Sequence, residues 1–274
     1  MKNKIGVMQG RLLPKYQDRY QAHPVGYWHD EFFLAQDIGL DYIEFILDFN
    51  DAKDNPLLND NGLNEISAVV DKTGVKVKTI CADYFMEAPL HSEDLSVSEQ
   101  SEKVLTKLLY NSAKLGVSDI VIPCVDQSSL NNKVKIDNFL KKMQPSVRVA
   151  EALNVNLSLE TDLAPKPFAK LLENFNSNKV TVNYDIGNSA ALGYDIEEEF
   201  AMYGDLITDI HIKDRELMGG SVILGNGNAD FDLFFSIIDK HNYSGPYIMQ
   251  SYRDDEGRAI FKKQFDWFKN IICY

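Results

Sequence analysis

The chain repeats one local pattern about every 40 residues, in which a helix-ending residue precedes a short run of β-branched and apolar residues. The runs begin at Gly39, Gly74 and Gly116, and a fourth begins at Leu153. A glycine just past a helix supplies the left-handed conformation that terminates it, and the run that follows begins a strand. The repeat therefore favours a fold in which helices and strands alternate along the chain.

Extended over the 274 residues, the pattern predicts eight strands and eight helices. The predicted strands are 4–8, 41–46, 75–81, 119–123, 155–159, 179–184, 207–212 and 246–250. The predicted helices are 29–38, 62–73, 98–115, 133–152, 166–175, 195–203, 230–241 and 257–271. Eight alternations predict an α/β protein with one (β/α)8 barrel domain over residues 1–274. An open doubly wound sheet is the alternative, but no G-x-G-x-x-G loop follows an early strand, so no nucleotide cofactor is expected.

Composition narrows the class of function. The chain has 28 Lys and Arg against 41 Asp and Glu, a net charge of -13, which argues against a nucleic-acid partner. Its three cysteines, Cys81, Cys124 and Cys273, are widely spaced and predict neither a disulfide framework nor a zinc motif. No apolar run approaches the roughly 20 residues of a membrane span, and no signal peptide is recognisable. We therefore expect a cytoplasmic protein without a membrane partner.

Polar residues stand where several predicted strands end, and in a barrel these ends share one face, which carries the chemistry. Glu160 and Asp185 directly follow the fifth and sixth predicted strands, His211 lies in the seventh, and Gln250 closes the eighth. Oxygen and nitrogen ligands of these types suit Mn²⁺, Mg²⁺ or Zn²⁺. The alternative is a solvated barrel mouth in which the histidine is hydrogen-bonded for structural reasons.

Further polar residues are expected at the same mouth. Lys213 alternates with His211 along one strand and so faces inward, and His91 lies in the loop after the third strand. Both are candidate catalytic groups. Arginines here could clamp a phosphate or carboxylate, although a surface ion pair is the alternative for each. The long first loop, 13–28, is a candidate lid. The candidate substrate-binding residues are Arg11, Glu44, Asp83, Asn188, Arg215 and Arg253.

Four motifs stand in order along the chain: Leu157–Glu160, Asp185–Asn188, His211–Asp214 and Leu224–Phe231. Together they resemble the xylose-isomerase-like TIM barrels of the sugar phosphate isomerase/epimerase type. That group includes ketose 3-epimerases, hydroxypyruvate isomerase, inosose dehydratase and relatives of endonuclease IV. The resemblance covers almost the whole chain, and it is specific for the superfamily but not for the substrate.

The resemblance implies a divalent metal held by Glu160, Asp185, His211 and a residue of the last strand. That residue is usually Glu in the family and is Gln250 here, whose amide cannot accept a proton. The resemblance to ketose 3-epimerases implies two Glu bases, one that removes a proton and one that returns it on the opposite face. Because Gln250 stands in place of the second Glu, a symmetric two-Glu epimerisation is in doubt for this chain. The remaining chemistry is proton abstraction next to a carbonyl through an enediolate, with Glu160 as base. Candidate second acids are Lys213, His91, Asp83 and Glu44.

The expected function is a metal-dependent isomerase or epimerase acting on a sugar or sugar phosphate. Such barrels often self-associate, so a homo-oligomer is one possible state of this protein. Two alternatives stay open: a sugar dehydratase of the same fold, and a non-catalytic sugar-binding barrel that has lost its second base at Gln250. Phosphodiester cleavage of the endonuclease IV kind is disfavoured, because it would need several more histidine ligands and the chain has five His in all.

Overall fold

The structure, a computed structural model, describes residues 3–272; Cys273 and both predicted domain limits lie outside this range. The strands are β1 (Ile5–Met8), β2 (Tyr42–Ile46), β3 (Lys76–Cys81), β4 (Asp119–Cys124), β5 (Asn156–Thr161), β6 (Val180–Asp185), β7 (Ile207–Ile212), β8 (Asp214–Arg215), β9 (Ser221–Val222) and β10 (Tyr247–Met249). The α-helices are α1 (Trp28–Ile38), α2 (Asp60–Thr73), α3 (Tyr84–Glu87), α4 (Leu95–Leu115), α5 (Lys133–Leu153), α6 (Pro165–Glu173), α7 (Ile186–Leu192), α8 (Ile196–Tyr203), α9 (Phe231–Lys240) and α10 (Arg258–Ile271).

Eight of the strands close into one parallel barrel, in the order β1-β10-β7-β6-β5-β4-β3-β2. The barrel closes where β1 pairs with β10, with Ile5 opposite Tyr247. The strands β8 and β9 pair with each other as an antiparallel hairpin. The predicted (β/α)8 barrel is confirmed, and all eight predicted strands appear within a few residues of their predicted limits.

The helices end where the repeated pattern predicts. Gly39, Gly74 and Gly116 follow α1, α2 and α4 with φ of 86°, 75° and 73°, the left-handed region that glycine enters without steric cost. The fourth unit uses Asn154, with φ of 56°, because asparagine tolerates this region better than most residues. No helix within residues 3–272 is both long and apolar enough to cross a membrane.

Three short elements were not predicted: the helices α3 and α7, and the hairpin of β8 and β9. Helix α7 starts directly at the end of β6, and the Asp185 side chain caps it by accepting the Asn188 backbone N–H at 2.8 Å. Gly187 allows α7 to pack against β7, since a Cβ there would lie 2.8 Å from Lys213 Cγ. Elements this short contain too few residues to show a periodicity.

A buried carboxylate organises the loop that leads into α9. Asp214 accepts the backbone N–H groups of Gly225, Gly227 and Ala229 at 2.9, 2.8 and 3.1 Å. A Cβ on Gly227 would lie 2.2 Å from Asp214 Oδ1, so only glycine fits there. The glycine-rich motif 224–231 is therefore a backbone wrapped around one side chain, and it fixes the hairpin that precedes it.

The core has an outer and an inner part. The larger part packs the barrel against the helices, as expected for this architecture. The smaller part lies inside the barrel and takes one side chain from each of five strands: Met8, Ile46, Cys81, Val121 and Ile248. Toward the amino ends of the strands the interior is polar, where Asp119 accepts hydrogen bonds from Ser158 and Thr208 at 3.0 and 2.6 Å.

Candidate active site

A cavity of about 360 Å³ opens at the carboxyl ends of the barrel strands. The barrel places there side chains that are far apart in sequence, because parallel strands all end on the same face. The polar residues at its wall include Arg11, Gln21, Asp83, Glu160, Asn188, Lys213, Arg215 and Gln250.

Three acceptor groups lie close together near the ends of β5, β6 and β7, and one of them, Glu160, lines this cavity. His211 Nδ1 lies 3.8 Å from Glu160 Oε2 and 3.9 Å from Asp185 Oδ2. All three residues are buried, and Gln250 at the end of β10 is buried as well. The structure thus brings together three of the four residues predicted to hold a metal, on β5, β6 and β7, and Gln250 is joined to Asp185 through the Lys213 ammonium, which donates to both.

Neighbouring side chains fix the tautomer of His211. Asn183 donates its amide N–H to Glu160 Oε2 at 3.3 Å, and the same nitrogen faces His211 Nδ1 at 3.1 Å. His211 Nε2 lies 2.8 Å from Glu44 Oε1 and therefore donates to that carboxylate. The Nδ1 lone pair then accepts the Asn183 N–H, with Glu160 and Asp185 at slightly greater distance. Two carboxylates and an imidazole nitrogen within 4.8 Å of one another are a ligand set that fits a divalent cation.

Of the three residues in this cluster, Glu160 is the one that lines the cavity. Burial raises its pKa to about 7; the nearby His211 and Lys213 oppose this rise, while the negative charges of Asp185 and Asp83 add to it. Its Oε1 accepts the Asn188 amide N–H at 2.6 Å. A carboxylate with a pKa near neutrality is suited to take a proton from carbon and to return it.

Lys213 brings a positive charge to the same group. Its Nζ donates to Asp185 Oδ2 at 3.4 Å and to Gln250 Oε1 at 3.1 Å. Because an ammonium group only donates, the amide oxygen of Gln250 must be the atom that faces it. Lys213, directly after β7, lines the cavity, on the inner side that its alternation with His211 predicted.

Two guanidinium groups reach the cavity without a carboxylate partner within residues 3–272. Arg11 donates to Gln21 Oε1 at 2.9 Å and to two backbone carbonyl groups. Arg215 donates to Asn188 Oδ1 at 2.8 Å and to the carbonyl of Gly219 in the hairpin. Uncompensated guanidinium groups at a cavity wall favour a bound molecule with an anionic group.

Three residues predicted to contact substrate or take part in catalysis lie elsewhere. Glu44 is fully buried beneath His211, because alternation along β2 turns it into the barrel interior. His91 is buried against Phe139 and does not line the cavity, and burial lowers its pKa to about 4, which favours the neutral imidazole. Arg253 donates to the carbonyls of Gly10 and Leu13, and so links the segment after β10 to the loop after β1. None of these three side chains lines the cavity.

Sequence reasoning missed Gln21 and Asn183. Asn183 stands two residues before Asp185 on one strand, so strand alternation could have placed both on the inner face. Gln21 lies in the first loop, where no periodicity applies. That loop, a candidate lid, places Tyr20 at the cavity wall and over the Arg11 guanidinium at 5.0 Å, whereas Trp28 is buried at the start of α1.

Comparisons with known proteins agree with this architecture. A model of the family described as xylose isomerase-like TIM barrel matches residues 32–271. The curated L-ribulose-5-phosphate 3-epimerase UlaE of Escherichia coli O1:K1 / APEC is 27% identical over 262 residues, covering 91% of this chain and 92% of that protein.

Solved structures share the fold at low identity. The 3-keto-D-glucoside 4-epimerase YcjR from E. coli, in its apo form, superposes with a TM-score of 0.76 at 17% identity, covering 98% of this chain and 100% of that one. The IOLI protein with a binding zinc atom gives a TM-score of 0.76 at 16% identity, covering 98% of each chain. Since the family model spans most of the sequence, the chain belongs to the xylose isomerase-like TIM barrel family.

Proposed function

We propose that this protein is a metal-dependent isomerase or epimerase that acts on a sugar or sugar phosphate. The observation that carries the proposal is the position of Glu160, whose carboxylate lies at the cavity wall beside His211 and Asp185 with a pKa raised to about 7 by burial. The relative UlaE is named as a 3-epimerase of a ketose phosphate, which agrees with this chemistry.

Glu160, Asp185, His211 and Gln250 would hold a divalent cation, for which Mn²⁺, Mg²⁺ and Zn²⁺ are the candidates. When bound, such a cation polarises a substrate carbonyl and so acidifies the neighbouring C–H. Glu44 holds the His211 ring in place from below, as carboxylates commonly do for metal-binding histidines.

The remaining residues bind and orient the substrate. Glu160 removes the proton from the carbon next to the carbonyl, which gives an enediolate. Asn188 holds Glu160 Oε1 in place, and Lys213 donates to the oxygen atoms on which negative charge develops. Arg215, at the hairpin, binds an anionic group at the far end of the substrate, and Arg11 contributes positive charge deeper in the cavity.

The test is solvent exchange. Protein purified without chelators is assayed for metal content and then incubated in D₂O with L-ribulose 5-phosphate, L-ribulose and D-allulose. We expect about one equivalent of a divalent metal and incorporation of deuterium next to the carbonyl of at least one ketose, followed by nuclear magnetic resonance. Product stereochemistry then separates an isomerase from an epimerase.

The control is the same protein after chelation. It should lose exchange, and it should recover exchange when one of the three metals is restored. A protein that neither contains nor takes up these metals, and that exchanges no proton, would favour a non-catalytic sugar-binding barrel and contradict the proposal.

Metal affinity should depend on pH. A protonated Glu160 cannot bind a cation through its charged carboxylate, and burial raises its pKa to about 7. We therefore expect the apparent affinity for Mn²⁺ to rise between pH 5.5 and pH 7.5, with proton release on binding. Calorimetry in two buffers of different ionisation enthalpy measures both. In Glu160→Gln the dependence should become shallower; a wild-type affinity that is flat over this range would contradict the assignment.

A further inference from the structure

A chain of side-chain amides runs from the end of β10 to the end of β3. Gln250 Nε2 donates to Gln21 Oε1 at 3.0 Å, and Gln21 Nε2 donates to Asp83 Oδ2 at 2.8 Å. Asp83 follows β3 and lines the same cavity as Glu160. Gln250, whose amide cannot accept a proton, is therefore joined through the Gln21 amide to the Asp83 carboxylate, which can.

Two permanent donors fix the direction of this chain. The Lys213 ammonium faces Gln250 Oε1, so the amide nitrogen of Gln250 must point the other way, toward Gln21. The Arg11 guanidinium donates to Gln21 Oε1, so the amide nitrogen of Gln21 must point toward Asp83. Neither amide can be reversed without setting donors against donors. The Asp83 carboxyl is thereby held at a set position on the cavity wall.

We infer that Asp83 is the second acid–base group of the proposed reaction, taking the part that a carboxylate at the position of Gln250 would otherwise play. This inference rests on the proposed function and extends it from proton abstraction to inversion. Asp83 follows β3 and Glu160 lies near the end of β5, with β4 between them in the barrel, so the two carboxyl groups reach the same cavity from separate strand ends. Inversion at carbon requires two such groups.

The step balances in protons and electrons. Glu160 takes the proton as the C–H bond breaks, and the bonding pair forms the enediolate. The Asp83 carboxylic acid then gives its proton to the opposite side of the same carbon, which restores the carbonyl with inverted configuration. Each carboxyl group returns to its starting state by exchange with solvent at the cavity mouth. In the reverse direction the two roles exchange.

The surroundings of Asp83 agree with a carboxyl group that is able to hold a proton. Burial raises its pKa, against the hydrogen bonds from Gln21 and from the Cys81 thiol, which donates to Oδ1 at 3.2 Å. The thiol itself is no competitor as a base, since burial and the nearby negative charge of Asp83 raise its pKa well above the usual range.

The experiment compares exchange with inversion in Asp83→Asn, on the ketose for which the wild-type protein shows solvent exchange. Asparagine keeps the hydrogen bond from Gln21 but cannot carry the proton. We expect inversion to fall by about a hundredfold or more. Deuterium incorporation into the epimer whose proton faces Glu160 should persist, and incorporation into the other epimer should be lost. Exchange without inversion is a result that a merely structural role of Asp83 does not produce.

A rescue and a control complete the design. The double variant Asp83→Asn, Gln250→Glu should regain inversion, because it restores a carboxylate at the end of β10. Asp126→Asn, at another carboxylate of the cavity wall, should keep the wild-type ratio of inversion to exchange. An Asp83→Asn protein that still inverts, or one whose exchange and inversion fall together for both epimers, would overturn the inference and leave the proposed function standing. Absence of exchange in the wild-type protein would contradict the proposed function itself.

Discussion

Replacing Glu160 with Gln is expected to lower the rate of proton exchange next to the carbonyl by about a hundred- to ten-thousandfold, the usual contribution of a positioned base. In the wild-type protein Glu160 Oε1 accepts the Asn188 N–H at 2.6 Å, and the amide oxygen of the variant can take the same place. It cannot accept a proton from carbon. The loss should therefore fall on turnover, measured as deuterium incorporation per active site per second.

Loss of the metal would mimic loss of the base, so metal content must be measured in the same samples. A Glu160→Gln protein that keeps its metal but not its exchange assigns the proton transfer to Glu160. The matched control is Glu173→Gln, the same change on an exposed residue at the end of α6, which should leave turnover as it is. Wild-type exchange in Glu160→Gln would refute the assignment of the base.

The second large effect is expected in stability. Asp214→Ala removes the acceptor of three backbone N–H groups in the segment that leads to α9, and Asp214 is fully buried. Hydrogen bonds to a charged group contribute more than neutral ones, and buried donors without a partner carry a desolvation penalty. We expect the free energy of unfolding to fall by about 3–5 kcal/mol, measured by urea or guanidinium denaturation.

Two further variants test the cause. Gly227→Ala should destabilise the protein as well, because its Cβ would lie 2.2 Å from Asp214 Oδ1 and push the segment off the carboxylate. Asp71→Ala, at an exposed position of α2, should change the unfolding free energy by no more than about 0.5 kcal/mol. A wild-type denaturation midpoint for Asp214→Ala would show that the segment is held by something other than this side chain.

The fold could be predicted because its determinants are local. Each unit marks its helix end with a residue that tolerates positive φ, and each strand that follows is a short apolar run. Gly39 and Gly74 ended helices in the structure as they did in the prediction. The convergence of Glu160, Asp185 and His211 also followed, since the topology of a barrel brings strand ends together whatever the spacing in sequence.

The candidate residues whose side chains do not line the cavity are placed by three-dimensional surroundings. His91 stands in a loop that turns inward and packs on Phe139, which no local pattern reveals. Arg253 looked like an anion clamp, but the main-chain carbonyls that occupy its donors belong to the opposite end of the chain. The link from Gln250 to Asp83 through Gln21 joins three separate loops and has no signature in sequence.

The seam at which the barrel closes has a consequence for how a newly made chain matures. β1 is the first barrel strand to be synthesised and β10 the last, and they are neighbours. Side chains cross the same seam: Arg11 donates to the carbonyl of Ser251, and Arg253 donates to that of Gly10. A nascent chain that ends before β10 lacks these contacts and one wall of the cavity. An interrupted synthesis product therefore contains nearly every site residue but not the complete site.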